Sequence, residues 1–386
     1  MNARGWSFLL ALLLVAANLR PSLTGVGPLL ASIQAELGLS ATAAGLLGSL
    51  PLVLFAIASP FARFARAVGT ERLVAIGLLT LIAGTLWRSS GEMFSLYAGT
   101  TVLAAGIAVT NILVPMLVKE HFPDRVAGLT TAYATVMGTF AALSSGLSVP
   151  ISHVAPGGWR GALASPALLA LVTLLAWLPQ TRAPASAVDS ATSATSARIP
   201  WHSPLAWSVT AYMGFQSTMF YVGISWFPTY LREFGYSPES AGWLLTLYQA
   251  AALVAGTAIP WFVRRLPDQR ALAIGCAALG AAAITGLLLA PGAAALWMTL
   301  LGVGAGPSLI LALSFMALRA ADAPMAASLS LMAQAIGYAF AALGPLAFGA
   351  VHDHTQGWIP AMSLNLVHAI GKASCGWFAG RSRTIA

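Results

Sequence analysis

Charge is scarce in this chain, and acidic charge is the scarcer kind. There are eleven Asp and Glu against nineteen Lys and Arg, and charged residues make up only 8% of the total. Soluble domains carry about 25%, so an ordinary water-soluble domain is excluded. The carboxylates fall in loops or at the ends of long apolar runs, which excludes an acidic proton relay inside a membrane. Uniport, exchange of like-charged solutes and proton coupling through a histidine stay open. The only two cysteines, Cys276 and Cys375, suggest neither an oxidising compartment nor metal-ligand spacing, and both read as packing residues. The sequence also lacks a nucleotide-binding loop, an HExxH motif, paired acids within an apolar run and a soluble domain. No cofactor, no metal and no enzymatic activity are expected, and a membrane-embedded sensor or enzyme is kept only as a rival of another class.

Apolar residues, at 58%, are what the chain has in abundance. A membrane span needs about 20 of them in a row. Twelve such runs fit, at approximately 6–34, 42–62, 73–89, 93–117, 126–151, 160–179, 205–230, 240–262, 271–290, 293–317, 325–350 and 358–380. Helices are expected, because isolated strands leave backbone groups unpaired in lipid. Arg4 and the apolar stretch Trp6 to Ala17 resemble a signal peptide. Apolarity resumes after Arg20 through Leu23, Leu29 and Ile33, however, so the run reads as the first span.

Basic residues sort by side. Arg4, Arg63, Arg66, Arg72, Lys119, Arg125, Arg182, Arg198, Arg264, Arg265, Arg270, Arg319, Arg381 and Arg383 fall on one side, with only Arg88, Arg160 and Arg232 on the other. The excess marks the cytoplasmic face, so both termini are expected there. The asymmetry accounts for the net charge of +8, and no nucleic-acid partner is read into it.

The chain repeats itself. Glu36-Leu37-Gly38-Leu39-Ser40 is answered by Glu233-Phe234-Gly235-Tyr236-Ser237, and Arg72 with Ala75-Ile76-Gly77 by Arg270 with Ala273-Ile274-Gly275, at offsets of 197 and 198 residues. Six spans per half give two repeats that point the same way. Residues 181–203, rich in Ala, Ser, Thr and Pro, read as a flexible linker. The expected domains are therefore 1–180, a six-helix bundle, 181–203, a cytoplasmic linker, and 204–386, a second six-helix bundle.

Arg20 is the strongest functional pointer. It lies inside the first apolar run, in Asn18-Leu19-Arg20-Pro21. A guanidinium at mid-membrane costs roughly 2.5–3.5 kcal/mol on insertion scales, so a polar cavity or a ligand must offset it. The repeat aligns Arg20 with Ser217, Leu19 with Gln216 and Thr24 with Tyr221, which confines the charge to the first half. The structural alternative is an arginine bonded to carbonyls loosened by Pro21. Asn18, Asn111, Gln216, Tyr221, Tyr248, Gln249, Gln334 and Tyr338 fall within other spans or beside Arg20. As a set, amides and phenols around one cation describe a pocket for a small polar ligand. Gln334 and Tyr338, four apart, share a helix face. His368 and Lys372 also share one, and the Lys372 stem is expected to snorkel toward the basic side. Arg88 and His352-Asp353-His354 read as interfacial.

This architecture resembles the major facilitator superfamily, in which two bundles rock about a central site. Asn18-Leu19-Arg20-Pro21 with Gly25-x-Gly27-Pro28 resembles its cyanate and 2-nitroimidazole transporter family. So do Asn111 with Pro115, Lys119, Phe122 and Pro123, Gly158-Trp159-Arg160, Gln216-Ser217 with Phe220-Tyr221, Trp226-Phe227-Pro228, and Gln334 with Gly337-Tyr338. The resemblance implies an all-α membrane protein of twelve transmembrane helices, working by alternating access in the bacterial inner membrane as a monomer. A small anion or small polar organic solute is the expected cargo, with export of a nitro-heterocycle or drug as the rival. The superfamily's loop after span two usually carries an aspartate in Gly-x-x-x-Asp-Arg-x-Gly-Arg-Arg. Here Arg63, Arg66, Gly69 and Arg72 remain as the expected gating loop and the aspartate is missing. Glu71 and Asp322 are the expected substitutes.

Overall fold

Turn chemistry explains why the repeat is most visible between spans one and two and between spans seven and eight. Gly38 and Gly235 both take left-handed backbone conformations, at φ +64° and +83°, which end the preceding helices without a side-chain clash. Two residues later the hydroxyls of Ser40 and Ser237 accept from the backbone N–H groups of Ala43 and Ser240 and so start the next helices. The computed structural model describes residues 3–58, 68–182 and 199–385. Among these, the long elements are all helices.

Span one is built of three pieces, α1 (Ala3–Ala17), α2 (Pro21–Thr24) and α3 (Val26–Leu37). Then come α4 (Ala41–Ile57), α5 (Thr70–Arg88), α6 (Met93–His121) and α7 (Val126–Val154). Span six is divided by Ser165 and Pro166 into α8 (Trp159–Ala164) and α9 (Pro166–Trp177). The second half holds α10 (Pro204–Arg232), α11 (Pro238–Gly256), α12 (Ile259–Arg265), α13 (Arg270–Leu289), α14 (Ala294–Leu318), α15 (Ala323–Thr355) and α16 (Trp358–Ala379).

Nine helical stretches among the described residues are long and apolar enough to cross a membrane by length and composition. The shorter α4 and the more polar α10 and α16 complete twelve. The last two are polar because they bury polar side chains within the molecule: Thr210, Gln216, Ser217 and Thr218 on α10, Asn365 and Lys372 on α16.

The two six-helix bundles meet along α4 with α15 and along α7 with α11. At the arginine-poor end this seam is sealed by close backbone approach. A Cβ on Gly45 would strike the Pro345 carbonyl, one on Gly349 the Ala41 carbonyl, and one on Gly27 the Ile224 carbonyl. Trp226 Nε1 donates to the same Pro345 carbonyl at 2.9 Å. Asp353, near the end of α15, accepts from the N–H groups of Ala41 and Thr42 and from the Thr42 hydroxyl, at 2.9, 2.8 and 2.6 Å. It thereby caps a helix of the other bundle, where the N-terminal partial charge favours an anion. His153 and Glu239 pair at 3.4 Å across α7 and α11.

The arginine-rich end differs. On α7 the buried residues run from Ala141 to Val149 and none falls in 126–140. Apart from Gly138, which still meets Leu253 of α11, that half of the helix is less deeply packed than the Ala141–Val149 half, so the interface loosens on this side.

Candidate functional site

Proline accounts for the geometry around Arg20. Pro21 has no N–H to continue α1, so the helix ends at Ala17, and Asn18 to Arg20 form a turn before α2. Arg20 sits at the N-cap of α2, and its own carbonyl accepts from Leu23 and Thr24. The turn leaves the side chain pointing to the bundle interface. Its Nη1 donates to the Tyr221 hydroxyl at 2.5 Å, and the phenol of Tyr338 interacts with the same guanidinium. The guanidinium carbon lies 5.8 Å from the centre of the Phe55 ring, within range of a cation–π attraction. Phe55 in turn meets Tyr338 edge-on at 5.8 Å. Three helices from both halves, α4, α10 and α15, thus build one aromatic cage around one cation. Among the described residues no carboxylate comes within ion-pairing distance of Arg20.

Two hydrogen-bond layers hold this turn in place. Ser144 on α7 donates to the Pro21 carbonyl at 2.8 Å, and Thr24 donates to the Ala141 carbonyl at 2.8 Å. Ser145 donates to the Thr24 carbonyl at 3.0 Å and accepts from Gln249 on α11 at 2.7 Å. The carbonyls freed by the broken helix also find a cation, but that cation is Arg88. Its Nη1 donates to the Ser22 carbonyl at 2.6 Å and its Nη2 to the Leu163 carbonyl of α8 at 3.2 Å. Arg88 is 1% exposed, which corrects its reading as an interfacial residue. The end of span three tucks inward because two discontinuous helices offer it acceptors.

The nine residues expected around the ligand separate into groups. Arg20, Tyr221 and Tyr338 come together. Asn18 turns away, donating to Leu14 O and to Thr173 Oγ1 on α9 at 2.8 and 2.7 Å. Gln249 is occupied in the seam with Ser145. Gln216 and Tyr248 line a different cavity, inside the second bundle, together with Lys372 and Asn365. Gln334 is half-buried and donates to Ser330 one turn back on α15, a turn away from Tyr338. Asn111 is half-buried on α6. Lys372 does not snorkel: it is 2% exposed and donates to Ser308 on α14 at 3.1 Å. Phe55 was missed, and its only signal was an aromatic residue in an apolar run.

Of the expected gating loop, Arg63 and Arg66 lie outside the described residues. Gly69, with φ +93°, is the N-cap of α5, and Arg72 is exposed on its first turn. The proposed substitutes for the missing aspartate are otherwise engaged. Glu71 is buried 3.7 Å from His121, and Asp322 caps its own helix by accepting from the Met325 N–H.

Comparison with known proteins gives the family of the chain. The sequence profile of the Major Facilitator Superfamily matches residues 9–345. A 2-nitroimidazole transporter of Escherichia coli is 41% identical over 97% of this chain and 95% of its own length. The cyanate transport protein CynX of Escherichia coli is 28% identical over 94% of each chain. Among solved structures, a bacterial homolog of the human lysosomal transporter Spinster superposes with a TM-score of 0.81 at 17% identity, covering 99% of this chain and 98% of that one. That likeness bears on the fold alone. This chain is therefore a membrane transporter, not an enzyme, and it belongs to the Major Facilitator Superfamily, in the group of the 2-nitroimidazole and cyanate transporters.

Proposed function

We propose that this transporter carries a small anion or small polar organic solute across the bacterial inner membrane by alternating access, with Arg20 as the group that recognises it. One observation carries the reading. Arg88 takes the structural duty of binding loosened carbonyls, while the Arg20 guanidinium is met by phenols and an aromatic ring and by no carboxylate. A guanidinium presents parallel donors that match a planar two-oxygen acceptor, and aromatic walls suit a flat solute. Tyr221 and Tyr338 complete the site, with Asn111 and Gln334, both half-buried, kept as supporting candidates, while Asn18, Gln249, Gln216 and Tyr248 are engaged elsewhere. The seal at the arginine-poor end leaves the site facing the arginine-rich end, which the distribution of Lys and Arg makes the cytoplasm, with both termini on that side. The stretch that carries Arg63, Arg66, Gly69 and Arg72 is assigned to gating at that end. The boundaries 1–180, 181–203 and 204–386 divide the chain into bundle, linker and bundle, and the working unit is a monomer in the lipid bilayer.

A second reading is export of nitro-heterocycles. It is favoured by the aromatic cage, since a nitro group is also a planar two-oxygen acceptor and its ring would stack on Phe55, and by the similarity to the 2-nitroimidazole transporter. Counterflow in proteoliposomes with cyanate, benzoate and 2-nitroimidazole as competing solutes tests both. Stimulated exchange by one class and not the others assigns the cargo. Unchanged exchange in a well-folded Arg20→Ala protein removes Arg20 from the site.

A further inference from the structure

Lys372 holds a charge that solute recognition at Arg20 does not use. It projects from α16 into the second bundle, where an ammonium brings three N–H donors. One goes to the Ser308 hydroxyl at 3.1 Å, and the Ser308 proton is already directed to the Gly304 carbonyl at 2.7 Å. The ionisable groups around it are the Cys276 thiol of α13, the Tyr212 phenol of α10 beside Ser308, and Tyr248 of α11 across the cavity. His368, one turn earlier on α16, is held against its own helix at the Leu364 carbonyl and between Phe215 and Phe348. Among the described residues no carboxylate pairs with Lys372.

The neighbouring amide is equally under-used. Asn365 is 1% exposed, and among the described residues its Nδ2 donates only to the Met362 sulfur at 3.9 Å, which is a weak acceptor. Lys372 and Asn365 line a common cavity, with Gln216, Ser308, Tyr248 and Gly280 as further walls and a volume of about 10 Å³. That is room for one water-sized guest, and too little for a carboxylic acid or a nitro-heterocycle. Water in the cavity would satisfy the amide but leave a net positive charge within the bundle, which is expensive at membrane depth.

We propose that this cavity binds one small monovalent inorganic anion of halide size, held by the Lys372 ammonium and the Asn365 amide. Such an ion neutralises the charge and satisfies both donors of α16 where they face the inside of the second bundle. The site is separate from the Arg20 cage in place, in size and in the bundle that builds it.

The test is thermal unfolding of the purified full-length protein in detergent, with sodium chloride exchanged for sodium gluconate at constant ionic strength. Chloride is expected to raise the melting temperature of the wild type by about 3 °C, since a ligand stabilises the state that binds it. Lys372→Met is expected to lose that shift, and Arg20→Gln to keep it. Gly280→Ala provides the variant that folds regardless. Its added methyl would meet Lys372 Nζ at 3.9 Å, an ordinary contact, while occupying the cavity, and it should at least halve the shift. A wild type indifferent to chloride overturns the proposal and returns the ammonium to the Cys276 sulfur. A shift that survives both Lys372→Met and Gly280→Ala, or one that disappears in Arg20→Gln, also overturns it. Because no solute is involved, failure of the Arg20 reading in counterflow leaves this result unchanged.

Discussion

The first and seventh spans occupy equivalent places in the two repeats, yet one is broken and the other is continuous. Span one stops at Ala17, turns through Asn18 to Arg20 and resumes, whereas α10 runs unbroken from Pro204 to Arg232. The proline that breaks the first has no counterpart at the aligned position, where Thr218 continues the helix and donates back to the Gly214 carbonyl at 2.9 Å. The broken helix aims a cation into the bundle interface, and the continuous one supplies the phenol that meets it. An asymmetric site has thus been made from two similar halves by changing the backbone of one. The second bundle keeps its own cation, Lys372, inside its packing and away from the interface.

The comparison breaks most sharply at Arg20. Arg20→Ala is expected to lower transport efficiency roughly 100-fold, and Arg20→Lys roughly tenfold, because a point charge does not reproduce two parallel donors. Both should insert and melt normally. Initial rates of solute counterflow check the loss, and size-exclusion profiles with melting curves check the fold.

Arg88→Ala should do the opposite. It leaves the Ser22 and Leu163 carbonyls without their donor, a loss of about 2–4 kcal/mol for two charge-assisted bonds. Low yield and a lowered melting temperature are expected before any specific loss of binding. Equal stability of the Arg20 and Arg88 alanine variants would erase the distinction between the functional and the structural arginine.

Asp353→Asn weakens the seal at the arginine-poor end, since an amide keeps one acceptor where the carboxylate offers three bonds to α4. About 1–2 kcal/mol is lost from the sealed state. A cysteine introduced at the half-buried Val351 should then react faster with a membrane-impermeant thiol reagent added from that side. Unaltered reactivity would show that close glycine packing holds the seal by itself.

Severing the chain between about Ala185 and Arg198 should leave two co-expressed halves that reassemble and transport, since each bundle carries its own six spans. Co-purification and counterflow measure it, and loss of activity with both halves inserted would count against two separable bundles. The smallest effect concerns Asp268, which lies outside the spans. The hydrogen bond from Arg270 holds its carboxyl below the ordinary value of 3.8. The stabilisation is present above that value and disappears as pH falls through the lowered one, so Asp268→Asn should narrow the difference in melting temperature between pH 6 and pH 3.

Much of the fold was legible because each of its signals is local. Apolar runs give spans, Gly38 with Ser40 and Gly235 with Ser237 give turns and caps, and the offset between them gives two repeats. The site was legible only in part. Arg20 declared itself as a charge in an apolar run, and Tyr221 and Tyr338 as polar residues at mid-span. Phe55 gave no signal, because an aromatic ring in an apolar span is equally a packing residue. Asn18, Gln216 and Gln249 looked like Tyr221 in sequence, and which acceptor each amide reaches depends on helices far away in the chain.

The sequence by itself determined that this is a twelve-span membrane protein of two similar halves, and that a cation lies at membrane depth beside a helix-breaking proline. Hydropathy, positive-φ turns and the missing N–H of Pro21 act within a few residues of where they are written, so no distant contact is needed to read them. Only the tertiary structure decided which arginine meets backbone carbonyls and which meets phenols, that Lys372 turns into the second bundle, and which end of the seam is closed. Those outcomes depend on acceptors supplied by other helices: the Ser22 and Leu163 carbonyls for Arg88, the Tyr221 hydroxyl for Arg20, and the N-terminus of α4 for Asp353. Spacing along the chain does not encode which of those partners comes within hydrogen-bonding distance.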